Sequence, residues 1–433
     1  MRIDRWFYAV RGTARGVRGT ARGVPAAAAL APRPASRWGL LASPDFRRLW
    51  LVGFVISAVR WLEMLAVGIF VYQQTGSAFA VALMTLLRML PMALFGAVIG
   101  ALAERLERRK ALIGVVVAML TTSLCLAVLA YAGGLAVWHL AVASFCNGIA
   151  WAADSPVRRV MIGEVVGSER MGSAMSLDVG ANNASRMLGP TIGGLLLAAA
   201  GMSGAFTVSV LFYAVGLLAA LRVAHRNSQA AAAVGSVLAR VIEGFVLVRR
   251  DPRLIGTLLV TVIYNVFGWP FTAMIPVIGQ DNLHLGAGGI GLLASMDGIG
   301  AFCGVIAIAI YTKPAHYARL YIGGVALYLV MLIVFALVPN VPIAGAALLL
   351  TGVANAAFSV MQATLIYLAA PAEMRSRMYG VLSVCIGTGP IGFLSIGVLA
   401  DAIGAPLATA ATGALGLLAL AATWPWWRRL GTV

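Results

Sequence analysis

The chain has 433 residues, 61% of them hydrophobic and only 11% charged, with a mean hydropathy of +0.93. A water-soluble protein of this length needs about a quarter of its residues charged to cover its surface, so a soluble globular fold is excluded. The net charge of +17 would point to nucleic acid on a soluble chain. Here the basic residues lie between apolar runs of about 20 residues, the length that crosses a ~30 Å hydrocarbon layer as a helix.

The first segment, 1–45, contains a tandem heptad, Arg11–Val17 repeated as Arg18–Val24, and then an Ala/Pro stretch. Such composition predicts a disordered basic arm, which either lies on anionic lipid or is dispensable. It lacks the apolar run of a secretory signal. Twelve helices are then predicted, at 49–73, 79–103, 111–131, 136–155, 174–200, 204–224, 255–279, 288–311, 318–338, 342–368, 379–400 and 405–426. They divide into an N-terminal half (46–224), a linker (225–254), a C-terminal half (255–426) and a tail (427–433). All but three of the 32 basic residues fall before the first helix, in the even-numbered loops or after the last helix. The odd-numbered loops carry none. The positive-inside rule places both termini and the linker in the cytoplasm of a cell-membrane protein.

The three exceptions, Arg60, Arg88 and Arg186, belong to a set of polar residues within the predicted helices. Helix one has Arg60 and Glu63 on one face, spaced to neutralise each other; helix two has Arg88. Helix four has Asn147, Trp151, Asp154 and Arg158 at one-face spacing, the last two expected at the cytoplasmic interface. Helix five carries Asp178, Asn182 and Arg186 on one stripe. Helix seven adds Tyr264, Asn265 and Trp269, helix eight Asp297, and helix ten Asn355, Ser359 and Gln362. Ionisable groups at bilayer depth are costly and point to function. One reading is a polar cavity in which Glu63 or Asp297 exchanges protons and Arg60, Arg88 or Arg186 meets an anionic part of a substrate. Trp151, Asp178, Asn182, Asn265, Trp269, Asn355 and Gln362 would complete its lining. The other reading makes Arg60–Glu63 and Asp178–Arg186 fixed structural pairs.

Cys125, Cys146, Cys303 and Cys385 all fall inside apolar runs and read as free, packed thiols. His139, His225, His284 and His316 have no metal-ligand spacing. The only lysines, Lys110 and Lys313, exclude a Gly-Lys-Ser/Thr phosphate loop. Neither metal nor cofactor is expected, and no Ser/His/Asp set suggests an enzyme.

The two halves share a pattern. Gly96 and Gly100 recur as Gly300 and Gly304, and Glu169 as Glu373, at an offset of 204; Gly194 and Gly201 recur as Gly397 and Gly404 at 203. Two parallel six-helix repeats are a carrier architecture, with the substrate site at midplane between them.

Several motifs carry a resemblance. The loop after helix two reads Gly100-Ala-Leu-Ala-Glu104-Arg105-Leu-Glu107-Arg108-Arg109, and helix five contains Gly189-Pro190-Thr-Ile-Gly193-Gly194. Phe46-Arg-Arg-Leu-Trp50, Thr75-Gly-Ser77, Leu90-Pro91 and Arg375-Ser-Arg-Met-Tyr-Gly380 accompany them. Together they resemble the major facilitator superfamily, in particular its drug:proton antiporter branch with the enterobactin exporter and macrolide-efflux-like proteins. The resemblance implies an all-α fold of twelve membrane helices in two pseudo-symmetric halves. It also implies gating at Gly100, Glu104, Arg105, Arg108 and Arg109, with Glu104 meeting the start of helix eleven near Arg377, and at Gly189 and Pro190 in helix five. One departure is Ser144, four residues before Gly148, where many proton-coupled members carry arginine. The resulting expectation is a monomeric secondary carrier that exports a small amphipathic molecule by alternating access in exchange for protons, with lipid and no nucleic acid as its other partner. Alternatives are an importer or facilitator of the same fold, and a non-transporting membrane sensor.

Overall fold

A computed structural model describes residues 40–105, 107–225, 248–249, 251–371 and 374–431. Among these residues every regular element is helical, and nine segments are long and apolar enough to cross a bilayer. The outer surface is apolar: Val128, Leu195, Leu211 and Ile391 are each more than half exposed, at 55–59%. Such a surface is stable only against acyl chains, while helices satisfy their own backbone groups there. The chain is a multi-pass membrane protein. Residues 1–39 of the basic arm and most of the linker lie outside the described residues; Pro44 and Asp45 already belong to the first helix.

Helix α1 (Pro44–Thr75) begins on proline, whose missing N–H costs nothing in a first turn. Helices α2 (Ala78–Arg105), α3 (Arg108–Tyr131) and α4 (Val137–Val166) follow. Helix α5 (Met171–Leu221) has 51 residues, too long for one crossing, and is broken at Gly201 (φ 65°, ψ −164°). Only glycine takes that conformation without strain. Gly404, which stands 203 residues on, also has a positive φ, 86°, and separates two helices.

Helix α6 (Pro252–Ile263) is capped by the Asp251 side chain, which accepts from the Arg253 N–H. Its winding then loosens into a π-turn (Tyr264–Gly268) and tightens into a 3-10 stretch (Trp269–Met274) before α7 (Ile275–Asp281). Pro270 and Pro276 remove backbone donors and force part of this change. Next come α8 (Ala287–Tyr311), α9 (Tyr317–Leu337) and α10 (Val341–Ala369). The predicted eleventh helix is two pieces, α11 (Arg375–Ile386) and α12 (Gly389–Ile403), divided before Pro390. Helices α13 (Ala405–Ala422) and α14 (Trp424–Trp427) close the chain.

One end of the bundle carries the exposed basic residues, including Lys110, Arg159, Arg253 and Lys313; among the described residues the opposite end carries Asp281 and Asp401 and no lysine or arginine. These are called the basic and acidic ends. Small residues set the closest helix contacts. A Cβ on Gly193 would lie 2.6 Å from the Leu62 carbonyl oxygen of α1, and one on Gly194 would lie 2.4 Å from the Ala287 oxygen and 2.9 Å from Cα of Gly291 in α8. Gly397 of α12 occupies the corresponding place against Phe79 and Ala82 of α2, where a Cβ would sit 3.1 and 2.9 Å away. Packing without side chains lets membrane helices approach this closely.

Two sequence expectations are corrected at this level. Helix α4 continues to Val166 rather than ending at 155, so Asp154 and Arg158 are buried, 3% and 5% exposed, instead of interfacial. Mutual neutralisation removes the cost that suggested an interface. The thiols are free, as expected, but only Cys385 is buried; Cys125, Cys146 and Cys303 face outward from the bundle.

Candidate functional site

The buried ionic side chains sort into three groups. Glu63 of α1, 2% exposed, accepts from Arg88 Nη2 of α2 at 3.3 Å, Ser123 Oγ of α3 at 2.9 Å and Asn147 Nδ2 of α4 at 3.5 Å. Arg88 Nη1 also donates to the Arg60 carbonyl at 3.2 Å. Glu63 is therefore paired across helices with Arg88, not within α1 with Arg60. In the second group, Arg158 of α4 bonds Asp154 (Nε to Oδ1, 3.1 Å) and Asp178 of α5, with Arg159 Nε 3.6 Å from Asp178. Gly53 makes room for it, since a Cβ there would meet Arg158 Nη1 at 2.2 Å. In the third, Arg186 of α5 pairs with Asp297 of α8. The proposed Asp178–Arg186 pair does not form; each group has a different partner. Every carboxylate here is compensated, as burial requires.

Arg60 is the exception among these arginines. Its Nη2 donates to Asn182 Oδ1 at 2.6 Å, and its guanidinium lies 5.7 Å from the Trp61 ring centre and 4.8 Å from that of Trp151. No carboxylate of the described residues lies within salt-bridge distance of it. The Trp61 ring also stacks 5.4 Å from the Arg186 guanidinium, so one indole stands between two arginines.

These side chains line a cavity of about 300 Å³. Arg60, Trp61, Arg88, Trp151 and Asn182 form one wall, and Trp269 of the 3-10 stretch, with Ser383, Ile386 and Pro390 of α11 and α12, forms the facing wall. Met64, Met89 and Met92 add adaptable apolar surface. An adjoining smaller space of about 50 Å³ reaches Glu63, Ser144, Arg186 and Asp297 and shares Trp61, Met64, Thr85 and Arg88 with the first. Size and lining, mostly apolar with a few convergent polar groups, are those of a small-molecule site.

The acidic end is fastened across the cavity. Tyr72 of α1 donates its hydroxyl proton to Asp281 at the end of α7. Ser77 Oγ caps α2 by accepting from Ala80 N at 3.0 Å, and donates to Asp401 Oδ2 of α12 at 2.7 Å. Asp401 Oδ1 in turn accepts from Phe79 N at 3.0 Å. Asp281 and Asp401 escaped the reading of the sequence. The available signal was electrostatic: a carboxylate in the last turn of a helix opposes the helix dipole and needs a donor elsewhere.

Of the expected lining residues, Arg60, Arg88, Trp151, Asn182 and Trp269 meet at the larger cavity, and Glu63, Arg186 and Asp297 at the smaller. Asp178 lines neither, being held by Arg158 and Arg159. Asn265, Asn355 and Gln362 also line neither. Asn265 donates to the Thr261 carbonyl (2.8 Å), Gln362 to Thr261 Oγ1 (2.9 Å), and Asn355 accepts from Tyr264 OH (2.7 Å). The Gln362 and Asn355 bonds tie α10 to α6 and to the π-turn beside the cavity, whereas Asn265 bonds back one turn along its own helix. Among the gating candidates, Gly189 and Pro190 pack at the α1 and α8 contacts. Arg108 pairs with Glu164 of α4, and Arg109 donates to the Leu221 carbonyl at 2.7 Å, so both stay on their own side of the cavity. The side chains of Glu104, Arg105 and Arg377, and the surroundings of Gly100, lie outside the described residues.

Comparison with known proteins identifies the family and the fold. The family described as transmembrane secretion effector matches residues 35–427. Macrolide efflux protein A of Streptococcus pyogenes is 24% identical over 244 residues, covering 55% of this chain and 60% of that protein. The match thus spans less than two thirds of that relative's length. The multidrug efflux pump Tap of Mycolicibacterium fortuitum is 25% identical over 367 residues, 81% of this chain and 86% of the pump. In fold, the chain resembles an inward-facing, unoccupied bacterial homologue of the human lysosomal transporter Spinster (TM-score 0.69, 16% identity, 92% of this chain and 98% of that one). It also resembles the nucleoside transporter NupG (TM-score 0.74, 10% identity, 88% and 99%). The chain therefore belongs to the transmembrane secretion effector family of major facilitator transporters, which are not enzymes.

Proposed function

We propose that this protein is a secondary active exporter of small amphipathic molecules, working by alternating access between two six-helix halves. The observation that carries the reading is the cavity of about 300 Å³ walled by residues 60–182 on one side and 269–390 on the other, with its acidic end fastened by Tyr72–Asp281 and Ser77–Asp401. Twelve crossings follow if the break at Gly201 splits α5 and if α2 and α4 join the nine apolar spans. Pseudo-symmetry rests on the paired roles of Gly194 and Gly397 and of Gly201 and Gly404. With the basic end in the cytoplasm of the cell membrane, the cavity faces inward, ready to load cargo for export; the efflux relatives favour that direction.

Proton exchange is assigned to Glu63 and Asp297. Both are buried carboxylates beside the cavity, and Asp297 keeps one oxygen, Oδ1, with no hydrogen-bond partner among the described residues. The Arg186–Asp297 pair joins α5 to α8, helices of opposite halves, so protonation of Asp297 would weaken a tie that rocking must shear. The experiment is uptake of a panel of dyes, siderophores and macrolides into energised inverted vesicles. Accumulation that a protonophore abolishes is expected; accumulation indifferent to the proton gradient, or none for any compound, overturns the reading.

A further inference from the structure

Resting on the export reading, we infer that the cavity selects organic anions, molecules that join an apolar or aromatic body to a carboxylate, sulfonate or phosphate, and that Arg60 reads the charge.

The inference comes from counting partners. Glu63 is committed to Arg88, and Asp297 to Arg186. Asp154 and Asp178, whose charges could reach Arg60, are held by Arg158, with Arg159 as the second cation. Two carboxylates face two arginines in each of these sets, and Arg60 is left over. Its neutral partners, Asn182 and the two indole faces, orient a guanidinium but do not cancel its charge. An uncompensated cation at bilayer depth is expensive, and water in the cavity is a poor substitute for an anion. Arg60 is half-buried and lines the larger cavity, so an incoming ligand can reach it.

A second observation points the same way. Trp61 lines both spaces, and its indole N–H is buried without an acceptor; Nε of Arg186, beside the same ring, is likewise unpartnered. Unsatisfied buried donors are uncommon in native folds. Two unsatisfied donors, together with the Arg60 guanidinium that no carboxylate neutralises, make an acceptor-hungry corner around this indole. Asp297 Oδ1 and Asn147 Oδ1 are unpartnered acceptors, but Asp297 is already paired through its other oxygen and Asn147 stands with Glu63. The cation excess stays at Arg60. Trp151, Trp269 and the methionines supply the apolar surface against which the body of such a ligand packs.

The test uses the full chain in detergent and in proteoliposomes, with three probes that share one ring system: 2-naphthalenesulfonate, 2-naphthol and 2-naphthyltrimethylammonium. Binding is followed by quenching of tryptophan fluorescence. The unaltered protein is expected to bind the sulfonate at least about tenfold more tightly than either other probe, the size of one charge-assisted hydrogen bond. Arg60→Gln should remove that preference by weakening the sulfonate alone, while Arg60→Lys keeps most of it. Equal or tighter binding of the cation or the neutral probe, or of none of the three, overturns the inference without any variant. So does an equal loss for all three probes in Arg60→Gln. The two readings fail separately: sulfonate preference without proton-driven transport of any probe refutes export and leaves the anion site standing. Gradient-driven transport of the cation, unaltered in Arg60→Gln, refutes the anion site and leaves export standing.

Discussion

The acidic-end fastening gives the most direct test of the mechanical reading. Asp401 accepts from Ser77 Oγ at 2.7 Å and Phe79 N at 3.0 Å, so a carboxylate on α12 completes the N-terminal cap of α2. Loss of a capping acceptor costs roughly 0.5–2 kcal/mol, and a carboxylate at a helix N-terminus adds some 0.3–1 kcal/mol that salt screens. Because the site is exposed, about 1 kcal/mol is the reasonable value for Asp401→Ala, a shift of about fivefold toward opening at this end. Asp401→Asn should fall between, since its carbonyl can still accept from Phe79 N while its amide cannot accept from Ser77. The assay is a spin-label distance distribution between positions 132 and 341, at the acidic ends of α3 and α10, in a cysteine-free background. The long-distance fraction should rise in the order unaltered, Asp401→Asn, Asp401→Ala, and high salt should narrow the differences. Identical distributions in all three proteins, or a larger effect for Asn than for Ala, would refute the claim that this contact holds the end shut.

Further expectations concern the buried charges and the glycine contacts. Glu63→Gln should abolish proton-driven efflux while substrate counterflow persists; efflux with unaltered pH dependence eliminates Glu63 as the coupling group. Asp297→Asn leaves Arg186 buried without its carboxylate and should cost about 3–5 kcal/mol in unfolding free energy, part of which Arg186→Gln in the same chain restores. A double variant no more stable than the weaker single variant would show that the pair is not coupled. Gly291→Val would force its side chain against the Pro190 carbonyl oxygen, which a Cβ already meets at 2.6 Å. Thermal unfolding in detergent should reveal a loss of about 1–3 kcal/mol; an unchanged transition would mean α5 and α8 part more easily than their spacing implies.

The helices were legible because lipid imposes one rule on every span, and apolar run length reports it directly. Their ends were less so. Asp154 and Arg158 looked like interface residues because charge was weighed one residue at a time, whereas Asp178 on another helix completes the neutralisation. The same limitation misassigned the partner of Glu63: spacing along α1 made Arg60 adjacent, but Arg88, Ser123 and Asn147 arrive from three other helices. Within the cavity, Arg60, Arg88, Trp151, Asn182 and Trp269 were found from polarity at depth alone. Asn265, Asn355 and Gln362 obey the same rule and yet line a helix seam, since a periodic pattern marks an inward face without saying whether a void or a neighbour lies opposite. The change of winding across 264–274 compounds this, turning Trp269 by an amount that no straight-helix count supplies.

The cap on α2 also has a consequence for biogenesis. Ser77 and its acceptor Asp401 are 324 residues apart in the chain, so on the ribosome the start of the second helix is made long before the oxygen atoms that finish it. Until α12 inserts, Phe79 N–H must borrow water or headgroup oxygen at the membrane surface. This corner is thus a contact of very high sequence separation, completed only after α12 has been made and inserted.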